Sequence, residues 1–302
     1  MSATGQPITF FNRHTGTLET EAVYGEAFLR FVYENPLGAL PLHALVKRAF
    51  FSRWYGWRMD QRSSRARISA FIELYGVDPM EFEKSAGEFE SFNDFFSRKL
   101  TANARPIAPG ADAIVFPADG RHLAIADASQ GGDLFVKGVS FDIAALVGDA
   151  DLARRFAKAS VLISRLCPVD YHRFHFPCTG TPGPARRIRG PLYSVSPIAL
   201  RQRPTILWEN ERILTVLETE ALGTVLLMEI GATCVGAVSQ TYAEGQPVEK
   251  GAEKGYFRFG GSSTVTLFEP GRVRFADDLL EHSAQGRELY ARMGEPAAFV
   301  RS

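Results

Sequence analysis

Early in the chain, apolar residues recur at the period of a helix. Leu42, Leu45, Val46, Ala49, Phe50, Trp54 and Trp57 follow at three- and four-residue spacing, which puts them in one stripe. Lys47, Arg48, Ser52, Tyr55 and Arg58 fall beside or opposite it, and Pro41 stands where a first turn tolerates proline. Further helices are predicted over 64–75, 79–83 and 93–100, the last capped by Ser91 or Asn93. After Thr101 the texture changes. Three prolines lie within 102–117, and short β-rich runs follow at 159–164, 213–218, 224–230 and 264–268, with helical interruptions at 141–147 and 151–158. The pattern predicts an α+β protein: a helical region over 1–100, then a mainly antiparallel sandwich or barrel-like domain over 101–302.

Composition narrows the class. A hydrophobic fraction of 45% is normal for a globular core, and 34 basic against 34 acidic residues give no global charge to recruit nucleic acid. Cys167, Cys178 and Cys234 form no CxxC pair and cannot all be bridged, which predicts a reducing, cytoplasmic compartment. No signal peptide is expected, and no apolar run reaches the roughly 18 residues that would span a bilayer, so any membrane contact is expected to be peripheral. Charge is uneven locally. Seven basic residues against Asp60 lie between Lys47 and Arg67, and seven acidic ones against Lys84 lie between Glu73 and Asp94. A basic helix carrying Phe, Trp and Tyr suits either an anionic lipid surface or packing on its own domain.

Three places carry candidate chemistry. Gly260-Gly261-Ser262-Ser263-Thr264 reads either as a turn between strands or as a place where a chain cuts itself before a serine. Asp170-Tyr171-His172-Arg173-Phe174-His175 is dense in functional side chains, but two histidines without a cysteine or carboxylate pattern do not complete a metal site, and no metal is expected. Asp119, in Pro117-Ala118-Asp119-Gly120, lies at a strand-to-turn junction. Together with a histidine and Ser262 it supplies the orienter, base and nucleophile of an activated serine.

The ordered series Phe92-Asn93-Asp94-Phe95-Phe96-Ser97-Arg98-Lys99-Leu100, Pro117-Ala118-Asp119-Gly120, Asp170-Tyr171-His172-Arg173-Phe174-His175, Asn210-Glu211-Arg212, Gly231-Ala232-Thr233-Cys234-Val235-Gly236 and Phe259-Gly260-Gly261-Ser262 resembles the phosphatidylserine decarboxylase family. The likeness runs from Tyr24-Gly25 almost to the C-terminus. It implies a self-processing proenzyme cleaved between Gly261 and Ser262 into chains 1–261 and 262–302 that stay associated, with room for a homo-oligomer. Ser262 takes the place of the family's cleavage serine, the precursor of a pyruvoyl cofactor, and Ser263 stands where threonine is more usual. Asp119 and His175 carry over as the self-cleavage pair, and His172 as a decarboxylation-stage residue.

The implied reaction converts phosphatidylserine to phosphatidylethanolamine through a Schiff base on the pyruvoyl group, at the cytoplasmic face of the cell membrane. A lipid substrate favours the interfacial reading of the basic aromatic helix. Two other readings are a pyruvoyl-dependent decarboxylase of a free amino acid, such as an aromatic one, and a non-catalytic membrane-surface binding module. Arg98, Lys137 and Arg212 are phosphate-binding candidates by charge alone.

Overall fold

A computed structural model describes residues 7–23, 25–38, 49–130, 141–232, 238–260 and 262–301. Tyr24, Pro41, Lys47, Arg48, Lys137, the stretch 233–236 with Cys234, and Gly261 lie outside the described residues. Strands of the first half are β1 (Thr9–Asn12), β2 (Thr17–Thr20), β3 (Ala113–Val115), β4 (Gly120–Ile125), β5 (Ser160–Leu166), β6 (Arg173–His175), β7 (Thr181–Pro182) and β8 (Arg186–Ile188). Those of the second half are β9 (Arg212–Thr219), β10 (Gly223–Ile230), β11 (Val238–Gln240), β12 (Glu253–Phe257), β13 (Ser262–Phe268), β14 (Val273–Phe275), β15 (Glu288–Ala291) and β16 (Pro296–Val300).

Ten strands form the main sheet, in the order β2-β1-β15-β4-β5-β13-β10-β9-β7, with β8 also on β9. Its pairs are antiparallel apart from β1 on β15. The path ends at β2 and β7 without joining them, so among the described residues the sheet does not close, and the barrel-like expectation gives way to an open α+β sheet. Two small sheets, β11-β12-β6 and β14-β16-β3, complete the β structure.

The central strands are covered on both faces. Val161, Ile163, Val265 and Leu267 point into one core, while Leu162, Phe268, Val225 and Leu227 point into the other. Burial on both sides explains why β5 and β10 read as almost continuous apolar runs rather than as alternating ones.

Among the described residues of the first hundred, helices appear at Glu26–Glu34 and from Ala49 onward, the predicted stripe residues Leu42, Leu45 and Val46 lie outside the described residues, and the first twenty contain the β1–β2 hairpin. Its anchor is charge. Arg165 grips Glu21 at 2.5 Å and Glu288 at 2.6 Å, all three groups being buried. Burial alone would raise the Glu21 carboxyl, but Arg165 and Arg121 hold it down at about 2.

Helices Ala49–Asp60, Ile68–Tyr75 and Phe92–Phe96, with the 3-10 turn Arg62–Arg67, form a cap around Met59, Ile68, Phe71, Phe82, Phe89, Phe92, Phe95 and Phe96. Ser91 caps the last helix by accepting the Asp94 N–H. Phe259, from the strand-rich part, inserts into this cluster with ring centroids 5.1 Å from Phe92 and 5.0 Å from Phe96. Each such edge-on pair contributes about 0.5–1.5 kcal/mol beyond its buried area. Phe259 is the residue before Gly260, so the helical cap grips the chain just ahead of the candidate cleavage segment.

Candidate active site

Ser262, Ser263 and Thr264 do not form a turn; they open β13, which is held between β5 and β10. Alternation separates the two serines. Ser263 Oγ donates to the Ser164 carbonyl at 3.0 Å. Ser262 faces the other way, fully buried, and its Oγ has no hydrogen-bond partner among the described residues. Gly260, just upstream, has φ 141°, a value that side-chain-bearing residues rarely adopt.

The two histidines approach the segment around Ser262 at different points, His172 by Gly260 and His175 by Thr264. His172 sits against the Gly260 backbone, its ring 3.9 Å from that of Phe96 between centroids. Its Nδ1 donates to the Asp170 carbonyl at 3.1 Å, which places the lone pair on Nε2, an atom with no partner at hydrogen-bond geometry among the described residues. His175, on β6, shares a small cavity with Thr264, two residues past Ser262 and on the same face of β13. Burial drives both imidazoles toward neutrality, His172 to about 3 and His175 to about 4, with the charges of Glu253 and Asp119 opposing the fall at His175.

Asp119 is buried at the end of β3's extension, next to Gly120. A Cβ at Gly120 would come within 2.5 Å of the Arg165 carbonyl oxygen on the neighbouring strand, which explains glycine there. The Asp119 carboxylate is engaged by Arg105, whose Nε lies 2.9 Å from each oxygen and whose Nη2 lies 2.6 Å from Oδ2, and by the Met293 N–H at 2.8 Å. It therefore acts on His175 through its charge rather than through a direct hydrogen bond. A cavity of about 300 Å³ lies beside Asp119, lined by Arg98, Arg105, Arg121 and Tyr171 but not by Ser262 or either histidine.

Of the charge-based phosphate candidates, Arg98 donates to the Val169 and Asp170 carbonyls, and Arg212 donates to those of Ala145, Leu146 and Asn210. Both are committed to backbone. Two residues not named as site residues from the sequence also shape the site. Asn93 accepts the Phe259 N–H at 2.9 Å and donates to Asp60 at 2.8 Å, tying the helical cap to the strand that leads to Gly260. Arg105 fixes Asp119. Asn93 lies within the Phe92–Phe96 motif, where its polarity amid phenylalanines was a signal; nothing local marks Arg105.

The buried histidines predict a pH dependence of stability. His122, His172 and His175 fall from 6.5 to about 3, 3 and 4, each chiefly through burial. The unfolded chain binds more protons than the folded one between those values, so stability is full above pH 6.5 and is lost as pH falls toward 4, by up to about 1.4 kcal/mol per pH unit per histidine. Urea midpoints measured from pH 7 to 4.5 should fall steadily, a range that lies above the titration of Glu21. A flat profile would contradict the buried neutral state.

A buried serine with a free hydroxyl, preceded by glycines and accompanied by two neutral histidines, can be deprotonated and acylated without competition from water. This arrangement suits an enzyme that modifies its own backbone. Comparison with known proteins narrows the class. The sequence model of the phosphatidylserine decarboxylase family matches residues 92–298. The chain is 41% identical over 290 residues to the phosphatidylserine decarboxylase proenzyme of Fusobacterium nucleatum, covering 96% of this chain and 97% of that one. It is 43% identical over 288 residues to the proenzyme of that name from Chlamydia caviae, covering 95% and 96%. The chain belongs to the phosphatidylserine decarboxylase family.

Proposed function

We propose that this chain decarboxylates phosphatidylserine to phosphatidylethanolamine after converting Ser262 into a pyruvoyl group, as the names and near-complete coverage of its relatives support. The observation that carries the assignment of Ser262 is the contrast between its buried, unpartnered hydroxyl and that of Ser263, which is bound to Ser164.

Self-processing begins when His175 takes the Ser262 hydroxyl proton and Oγ attacks the Gly261 carbonyl carbon. The peptide C–N bond breaks and an ester remains. Loss of the Ser262 α-proton expels the Gly261 carboxylate and leaves dehydroalanine. Its imine tautomer takes up one water and releases ammonia, giving the ketone at the head of chain 262–302. Asp119 and Glu253 stabilise the positive charge on His175. When present, the pyruvoyl group supplies an electrophilic ketone that condenses with the substrate's amine and accepts the electron pair left by departing carbon dioxide. His172 Nε2 takes the proton shed by the substrate's ammonium and returns it to the α-carbon. Intact mass of the purified protein tests this reading: two chains split after Gly261 are expected, the smaller one blocked at its start. A single chain of 302 residues lacking decarboxylase activity would overturn it.

The lipid substrate is reached from the membrane surface. No helix among the described residues is long and apolar enough to cross a membrane. Helix Ala49–Asp60 presents Phe50, Trp54 and Trp57 on one face, 71%, 43% and 60% exposed, beside exposed Arg58, Arg62, Arg65 and Arg67. Aromatic side chains bordered by arginines suit the cytoplasmic, anionic leaflet. The Trp54→Ala/Trp57→Ala protein should lose binding to phosphatidylserine-containing vesicles by about tenfold or more, since each indole offers roughly 150–250 Å² of surface. Unchanged sedimentation with such vesicles would remove this face from the membrane contact.

A further inference from the structure

Two buried polar atoms that lack partners belong to residues bordering one cavity. His175 Nδ1 and Thr264 Oγ1 have no hydrogen-bond partner among the described residues, and both residues line a cavity of about 10 Å³ that Pro117 also borders. A cavity needs roughly 10–15 Å³ to hold a single water, which in turn needs two to four polar partners. Glu229 and Lys254 line the same cavity.

The backbone brings these four residues together deliberately. Thr264 on β13 is directly opposite Glu229 on β10, so the hydroxyl and the carboxylate share a face of the sheet. Lys254 belongs to β12, whose register on β6 shifts between Glu253, opposite His175, and Gly255, opposite Phe174. Lys254 is the extra residue of this bulge, and a bulge of this kind re-aims a side chain. Here it sends the ammonium inward, where it is buried 2.9 Å from both oxygens of Glu229 and 2.9 Å from Gln240 Oε1. Those three contacts use all three ammonium hydrogens. Gln240 Nε2 adds a donor to Glu229 at 2.7 Å, yet a carboxylate still has capacity to accept one more hydrogen bond.

We propose that this cavity holds one structural water that links His175 Nδ1 to Thr264 Oγ1 and the Glu229 carboxylate, making Thr264 a positioning residue for self-processing. The water accepts from His175 Nδ1–H and from the Thr264 hydroxyl, and donates to Glu229. That fixes the tautomer in which His175 Nε2 carries the lone pair, and it places a carboxylate, through one water, behind the imidazolium that forms when Ser262 gives up its proton. Lys254 pairs with Glu229 and balances its charge in the buried cluster. Asp119 is held by Arg105 and Met293, so the hydrogen bond that orients the ring comes from this side instead.

This inference rests on His175 being the base, and the test separates the two ideas. Thr264→Val preserves shape and removes only a hydroxyl that has no hydrogen-bond partner among the described residues, so a purely structural role predicts unchanged melting and unchanged cutting. The proposal predicts that the rate of cleavage between Gly261 and Ser262, followed by intact mass from synthesis onward, falls by about tenfold or more, a part of the 10²–10⁴ that a positioned base contributes. Thr264→Ser, which loses the methyl group but keeps the hydroxyl, should cut within about twofold of the parent on the same basis. If the Ser variant is as slow as the Val variant, packing is responsible and the proposal fails. If Thr264→Val cuts at the parental rate while His175→Ala does not cut, the water link is wrong and the base assignment stands. If His175→Ala itself cuts at the parental rate, the base assignment fails.

Discussion

Ser262→Ala should yield a single uncut chain without decarboxylase activity, the largest loss any one substitution here can produce. Alanine has no β-oxygen, so no ester forms, nothing can be eliminated and no ketone appears. The expected fall in activity is the whole enzymatic enhancement, about 10⁶-fold or more. The fold should persist, because the hydroxyl removed is buried without a partner and its loss strands no other polar group. Ser263→Ala is the control. It deletes the bond to the Ser164 carbonyl, at a cost of about 1 kcal/mol, and should still be cut and active. Intact mass and release of carbon dioxide from phosphatidylserine vesicles read both variants. Efficient cutting of Ser262→Ala would move the reaction to Ser263.

The histidines should separate into two phenotypes. His175→Ala is expected to slow cutting by about 10²–10⁴, leaving mostly uncut chain, because it removes the proposed base. His172→Ala should be cut, since His172 lies on the Gly260 side, and should then decarboxylate at least about 10²-fold more slowly. The two are separated by measuring turnover per cut chain rather than per total protein. Cutting abolished by both substitutions would mean that the imidazoles act together in one step. His172→Ala also removes the contact with Phe96, so its melting temperature should fall by a few degrees, and the activity must be measured below that temperature.

Much of this was legible before any coordinates. Runs at 159–164 and 224–230 became β5 and β10 because strands buried on both faces carry apolar residues at nearly every position, and the run at 213–218 became the half-buried β9. The helix ahead of Leu100 was marked by its Ser91 cap. The β1–β2 hairpin was not visible, since strands of four residues leave little periodicity and their hold on the sheet comes from distant partners, β15 beside β1 and Arg165 meeting Glu21 144 residues away. The Gly-Gly-Ser-Ser run was half legible. Glycine belongs at Gly260 for its backbone angle, but residue type alone suggested a turn, whereas both serines lie in a strand pinned by its two neighbours.

The sequence by itself determined the parts: an α+β chain, a serine after two glycines, two histidines three residues apart, an aspartate before a glycine, and a basic aromatic helix. Motif order and residue chemistry are local properties, and they survive without knowledge of what faces what. Only the tertiary structure decided which serine has a free hydroxyl, that Asp119 is held by Arg105, and that His175 looks onto Thr264, Glu229 and Lys254. Those relations depend on strand register and on one bulge. A shift of a single residue turns every side chain to the opposite face, and no composition or spacing records it.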